Sequence, residues 1–269
     1  MEKIKISIEN IHYSIRKSEH EKFEIIKGVS LQIFQGESIV ILGLSGSGKS
    51  TLLKICAGLF HPTSGQILID GLNIYNLRQR KKHELMEKLG FVFQNSGLLS
   101  NMNVFNNIAL SLRYHGKHKK NEIEKIVNDK LSSLDLLKLK NYFPDSLSPG
   151  QRKLISFARE TIAKTEILFL DEPTTNVDRD KASEITEYIK NYVYTGGTAI
   201  TITSDLELSN AVEAKRMIIM HEGSIYKCDN LEAIKRSNDP IIKQVMKSLS
   251  KEKEIADEML KIMENDDIF

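Results

Sequence analysis

The chain has 269 residues, 41% hydrophobic and 28% charged, with 38 Lys and Arg against 36 Asp and Glu. That length can bury a real core in one large domain or two smaller ones. The net charge of +2 excludes a strong overall field toward nucleic acid or anionic lipid and leaves room only for a local patch; no nucleic-acid partner is expected. Cys56 and Cys228 lie far apart and read as reduced thiols in preference to a disulfide. The first ten residues alternate apolar and polar and lack an apolar signal core. No apolar run approaches the roughly 20 residues of a membrane span. A cytoplasmic chain is expected, one that meets a membrane only through other subunits.

In chain order, residues 3–15 and 25–35 alternate like strands with one buried face. The charged stretch 16–24 reads as the loop of their hairpin. Residues 38–43 (SIVILG) form a continuous apolar run, as expected of a parallel strand covered on both faces. Residues 65–71 (GQILIDG) give another strand between glycine turns. Helical periodicity runs through 104–139, interrupted by the basic loop HGKHKK, and returns over 151–164. Residues 166–173 (EILFLDEP) are a second fully buried strand. A helix over 181–193 follows, then strands in GGTAITIT and RMIIMHEG. Strand and helix mostly alternate, which predicts an α/β core with a helical insertion near 95–160.

The strongest chemical motif is GLSGSGKST, comprising Gly43, Leu44, Ser45, Gly46, Ser47, Gly48, Lys49, Ser50 and Thr51. It fits G-x-x-x-x-G-K-[ST] and lies between a buried strand and a good helix. The glycines let the loop turn tightly around an anion, and successive backbone N–H groups point at phosphates. Lys49 reaches β- and γ-phosphates, and the Ser50 hydroxyl binds Mg²⁺. The second motif is ILFLDEP, which carries Asp171 and Glu172 to a strand end. One carboxylate there suits Mg²⁺; the next can orient and deprotonate an attacking water. Alone this motif is weak, because many strands end in acids. The guanine-reading Asn-Lys-x-Asp run is absent from the sequence, so adenine is the expected base.

These residues resemble the nucleotide-binding subunit of ABC transporters over nearly all of 3–226. The resemblance implies a P-loop NTPase core, an antiparallel β subdomain and a helical subdomain at about 95–160, with a helical extension over 227–269. GLSGSGKST looks like Walker A and ILFLDE like Walker B with its catalytic glutamate. Gln94 in FVFQNSG falls where the family's Q-loop glutamine contacts Mg²⁺ and senses the membrane partner. LSPGQRK (147–153) stands where the family has Leu-Ser-Gly-Gly-Gln, so Ser148, Gly150 and Gln151 are implied nucleotide contacts. Asp178 looks like the D-loop aspartate. Tyr13 looks like the aromatic that stacks on adenine, with Phe23 as the alternative; Tyr13 reads equally well as a half-buried strand aromatic. ATP and Mg²⁺ are the implied cofactors. The implied assembly is a head-to-tail dimer of cassettes, as a homodimer or a heterodimer, on integral membrane permease subunits. In it the Leu-Ser-x-Gly-Gln loop of one cassette completes the γ-phosphate site of the other.

Two positions depart from that pattern. Pro149 replaces the first glycine of the Gly-Gly pair, fixing φ and removing an N–H. Ser204 stands where the family has a histidine that bridges γ-phosphate and water, and serine supplies no positive charge. His221, at a strand–turn position, is no obvious substitute. Normal ATP binding is therefore expected with hydrolysis that is slow or depends on a second, complete subunit; the alternative is an ordered water held by Ser204.

Residues 93–115 lie where the family receives its membrane subunit. Their Gly-Leu-Leu and Met-x-Val-Phe-x-Asn-Ile-Ala pattern resembles the ATPases of MCE-associated, Mla-type phospholipid transporters, as does NDPIIKQVMKS (238–248). That implies an MCE-type substrate-binding partner and a place on the cytoplasmic face of the inner membrane. Val104, Phe105 and Ile108 would equally pack the helical insertion in any subgroup. A lipoprotein-release or division-type machine and a regulatory module with little turnover are the competing readings. Two apolar sets in the tail have helical spacing. They are Ile242, Val245, Met246 and Leu249, then Ile255, Met259, Ile262 and Met263. Both read as partner contacts in preference to packing on their own domain.

Overall fold

The computed structural model describes residues 3–16 and 21–250. Strands β1 (Ile4–Arg16) and β2 (Lys22–Phe34) form a long antiparallel hairpin. Much of the charged stretch expected as a loop is paired strand, with Arg16 opposite Lys22, Ile15 opposite Phe23 and Ser14 opposite Glu24. Charged side chains stay solvated on an exposed ribbon, so they do not stop the backbone ladder. Strand β3 (Ser38–Gly43) is buried at every position and feeds helix α1 (Lys49–Cys56). Strands β4 (Ser64–Ile69) and β5 (Leu72–Asn73) complete an antiparallel sheet ordered β2-β1-β4-β5.

Helix α2 (Gln79–Met86) and strand β6 (Leu89–Val92) had no clear sequence signal. The helix buries only Leu85, and the strand is four residues long. Helices α3 (Val104–His115) and α4 (Lys120–Ser133) are separated by the basic loop, as its charge suggested. Asn103 caps α3 by accepting from Asn106 N at 2.9 Å, an interaction of about 1 kcal/mol. Helix α5 (Pro149–Thr161), strand β7 (Ile167–Asp171), helix α6 (Arg179–Tyr194) and strand β8 (Thr198–Ile202) follow. Helix α7 (Leu206–Ala211), strands β9 (Arg216–His221) and β10 (Ser224–Asp229) and helix α8 (Leu231–Arg236) come next. Residues 240–250 are helical. Strand β10 runs across the expected domain boundary at 226.

The second sheet has the order β10-β9-β3-β8-β7-β6, parallel except for the β9–β10 pair. Its strands divide their side chains between two cores, as the two-residue period requires. Ile39, Ile41, Phe169, Ile200 and Ile202 face α1 and the β1–β2 hairpin. Val40, Leu42, Leu168, Leu170 and Ala199 face α3 to α6. Burial on both faces makes these strands mostly apolar, although Thr201 is buried within β8, and places most polar residues at their ends. Cys56 is a free, buried thiol and Cys228 a free, exposed one.

The first apolar set of the tail corrects an expectation. Ile242, Val245 and Leu249 are buried in the same core as α5 and α6, so they pack on their own domain and not on a partner. Ser237 and Asp239 start this helix by accepting from nearby backbone amides, which turns its apolar face inward. The second set, Ile255 to Met263, lies outside the described residues. Replacing Ile242 by Ala is expected to cost about 2–5 kcal/mol of stability. Denaturant unfolding measures this, and the mass by light scattering should not change.

Candidate functional site

A cleft of about 1020 Å³ opens at the C-terminal ends of β3, β7 and β8. Ligands of open α/β sheets are met at such ends. Gly43, Ser45, Gly46, Gly48, Lys49, Ser50 and Thr51 line it. Gly48 stands at the N-terminus of α1 with φ 95°, and a Cβ there would lie 2.8 Å from Ile26 Cδ1 and 3.0 Å from Ile25 O. A Cβ on Gly43 would lie 2.4 Å from Met220 O. Only glycine fits both positions, which allows the loop to wrap an anion closely. The N-cap residue of α1 is Gly48, which has no side chain to cap the helix. The Ser47 hydroxyl is buried without a partner among the described residues. Leu44 stays outside the lining, and its carbonyl accepts from Lys49 Nζ at 3.0 Å.

Ser50 Oγ donates to Asp171 Oδ1 at 2.9 Å, joining the loop to the end of β7. A hydroxyl, a carboxylate and the nearby amide of Gln94 are hard oxygen donors, the set Mg²⁺ prefers. Among the described residues no group of three or more His, Cys, Asp or Glu is placed to hold a metal by itself. Mg²⁺ bound here would complete its shell with phosphate oxygens and water.

Glu172 has φ 49°, a left-handed conformation costing a non-glycine residue about 1–2 kcal/mol. Its N–H donates to Ile202 O at 2.9 Å. Its Oε2 accepts from Thr175 Oγ1 at 3.0 Å, Ser204 N at 3.1 Å and Ser204 Oγ at 3.3 Å. Burial raises the Glu172 pKa, while these donors and the Lys49 charge pull it back. Beneath it, Lys153 is 3% exposed, and burial lowers its pKa to about 8 against the pull of Asp171 and Glu172.

Gln94, Glu172, Asp178 and Ser204 all line the cleft. Ser204 is thus a support of Glu172, set by the turn between β8 and α7. His221 lies outside the lining, with its ring edge-on to Tyr226. Tyr13 also lies outside the lining, and its ring stacks on Phe60 with centroids 5.9 Å apart. Phe23, 58% exposed, lines the cleft instead. The hairpin register decides this, because Tyr13 pairs with Ile26 near the core while Phe23 sits toward the tip.

Ser148, Gly150 and Gln151 stand apart from this cleft at the start of α5. Ser148 and Gln151 form a reciprocal cap, at 3.2 and 3.0 Å. Pro149 occupies the first helical position, where its fixed φ is preorganised and its missing N–H breaks no helix bond. Proline is therefore compatible with the start of α5. Gly150 is buried; a Cβ on it would meet Lys181 Cβ at 2.7 Å and Val177 at 3.2 Å.

A family model described as "ABC transporter" matches residues 26–175. The lipoprotein-releasing system ATP-binding protein LolD of Legionella pneumophila (strain Lens) is 34% identical over 205 residues, covering 76% of this chain and 89% of the relative.

The chain belongs to the ABC transporter family.

The cell division ATP-binding protein FtsE of Bacillus subtilis (strain 168) is also 34% identical, over 75% of this chain and 88% of FtsE. The methionine import ATP-binding protein MetN of Carboxydothermus hydrogenoformans is 34% identical over 76% of this chain, which spans 60% of that relative's length. The dimeric ATP-binding cassette MJ0796, in a post-hydrolysis state bound to ADP and Pi, superposes with a TM-score of 0.78 at 28% identity, covering 84% of this chain and 98% of that one. The chain has the P-loop ABC ATPase fold and is an ATP-hydrolysing cassette that uses ATP with Mg²⁺. Cassettes of this kind dimerise and work with membrane permease subunits. Among the described residues no helix is long and apolar enough to cross a membrane.

Sequence reasoning missed Thr175 and Lys153, which hold Glu172, and left Phe23 as an alternative. The sign of the Glu172 shift gives an expectation. Hydrogen bonds to a carboxylate favour its charged form, so removing one raises its pKa. In Thr175→Val the acidic limb of the pH–rate profile should move to higher pH.

Proposed function

We propose that this cassette binds Mg-ATP through Walker A and hydrolyses it with Glu172 as general base, energising a membrane transporter of lipids. The observation that carries the catalytic part is convergence. Phosphate-loop amides, the Ser50–Asp171 pair, Gln94 and the restrained Glu172 carboxylate meet in one cleft. Lys49 and the loop amides would hold the phosphates, and Ser50, Asp171 and Gln94 would hold Mg²⁺. The ion would neutralise phosphate charge when bound. Glu172 would take the proton of the attacking water. Phe23 would stack on adenine, and Asp178, which caps α6 by accepting from Lys181 N at 2.9 Å, would face the neighbouring cassette. Ser148, Gly150 and Gln151 of one cassette would close the site of the other.

Ser204 holds Glu172 but offers the γ-phosphate no positive charge. Losing one positioned electrostatic group costs on the order of a hundredfold in turnover. We infer that the chain alone hydrolyses slowly.

For the transported substrate, the pattern over 93–115 supports a phospholipid system of MCE/Mla type, with an MCE-type binding protein and a place at the inner membrane. The similarity to LolD and FtsE supports an envelope machine of lipoprotein-release or division type equally well. Co-purification of the membrane subunits, identified by mass spectrometry, separates the two.

Four variants test the site. Glu172→Gln should lower kcat by about a hundredfold or more with ATP affinity kept. Ser204→His should raise turnover of the isolated chain at least tenfold; equal rates would overturn the inference of slow hydrolysis. Phe23→Ala should weaken ATP binding by about fivefold or more, from stacking of about 1–3 kcal/mol. Tyr13→Ala should leave that affinity within twofold, measured by calorimetric titration.

A further inference from the structure

One face of α5 carries three polar side chains at three-residue spacing, Lys153, Ser156 and Arg159. All three are buried, at 3%, 0% and 9% exposure. Each donates to a main-chain carbonyl of the segment that bears Gln94. Lys153 Nζ reaches Phe93 O at 3.1 Å, Ser156 Oγ reaches Ser96 O at 2.8 Å, and Arg159 Nη1 reaches Gly97 O at 2.7 Å. Lys153 Nζ makes a second bond, to Glu172 O at 3.0 Å. One ammonium therefore ties the residue before Gln94 to the backbone of the general base.

The arrangement is more than packing. Burying an ammonium is costly, and an apolar side chain of the same length would fill the space. Both carbonyls that it binds belong to irregular backbone outside the sheet ladder. Glu172 also has a left-handed backbone, which persists only where its surroundings over-determine it. Lys153 supplies one of those restraints, from a helix whose N-terminus carries Ser148 and Gly150.

We propose that Lys153 is a positioning residue that fixes Glu172 and the Gln94 segment relative to each other, so that movement of α5 reaches both. It rests on the reading of Glu172 as general base and Gln94 as a Mg²⁺ contact. Motion of the loop that closes the neighbouring site would then reset the water-activating carboxylate, without any contact between Lys153 and nucleotide.

The test is Lys153→Met in the full chain, which keeps length and removes the donors. Single-turnover hydrolysis at saturating Mg-ATP should slow at least tenfold, while ATP affinity stays within threefold of the wild type. Lys153→Gln, whose amide can donate to one carbonyl, should recover part of the rate. Hydrogen exchange at residues 93–97 and 172–175 should quicken while the rest of the chain is unchanged. A Lys153→Met rate within twofold of wild type, with Glu172→Gln inactive, would overturn the proposal and leave the general-base reading intact. An active Glu172→Gln would sink that reading and the proposal with it. Equal losses of rate, affinity and thermal stability would make Lys153 a packing residue and overturn the proposal too. If Lys153→Met does not fold, Lys153→Gln is judged by the same split, with intermediate slowing expected at unchanged affinity.

Discussion

The constraint on which the rest depends is burial of the central parallel strands on both faces. Strands β3, β7 and β8 are buried at every position. No polar side chain that must meet solvent or ligand can sit mid-strand without a large desolvation cost. Such groups are driven to the strand ends. Asp171 pairs with Ile202 and Ile202 with Ile41, and β3 runs on past that pair to Gly43, so all three strands finish at the same edge. The phosphate loop, the two carboxylates and the Ser204 turn therefore meet in one cleft as a consequence of how the sheet is packed.

The two cores then do different work. The α1-side core locks the phosphate loop between the sheet and the β1–β2 hairpin, through contacts as close as Gly48 to Ile25 and Ile26. The opposite core joins α3 to α6, and the terminal helix is built into it. Helix α5 links both regions. It begins at the Ser148–Gln151 loop, proposed to close a neighbouring cassette's site, and its buried polar face holds the Gln94 segment and the Glu172 backbone. Ser204 and Thr175 fix the Glu172 side chain, while Lys153 and Ile202 fix its main chain.

Much of the catalytic edge was legible in the sequence, because its groups are contiguous. Lys49 and Ser50 follow their glycines directly, and Asp171 and Glu172 follow an apolar run, so local spacing reports their geometry. Tyr13 and Phe23 could not be separated that way. Their difference is set by the β1–β2 register and the reach of the hairpin tip. The inward face of Ile242, Val245 and Leu249 was equally hidden, since helical spacing defines an apolar stripe but not what covers it. Short elements such as α2 and β6 carried too little periodicity to register.

By itself the sequence determined the phosphate loop, the acidic strand end and the alternation that makes an α/β cassette. Each of these follows from bonded neighbours and the periods of strand and helix. Only the tertiary structure decided that Phe23 faces the cleft, that Ser204 grips Glu172 and that Lys153 bridges Phe93 and Glu172. Those contacts join residues 19 to 60 positions apart along the chain. Their distances are set by packing across the sheet, which no local pattern encodes.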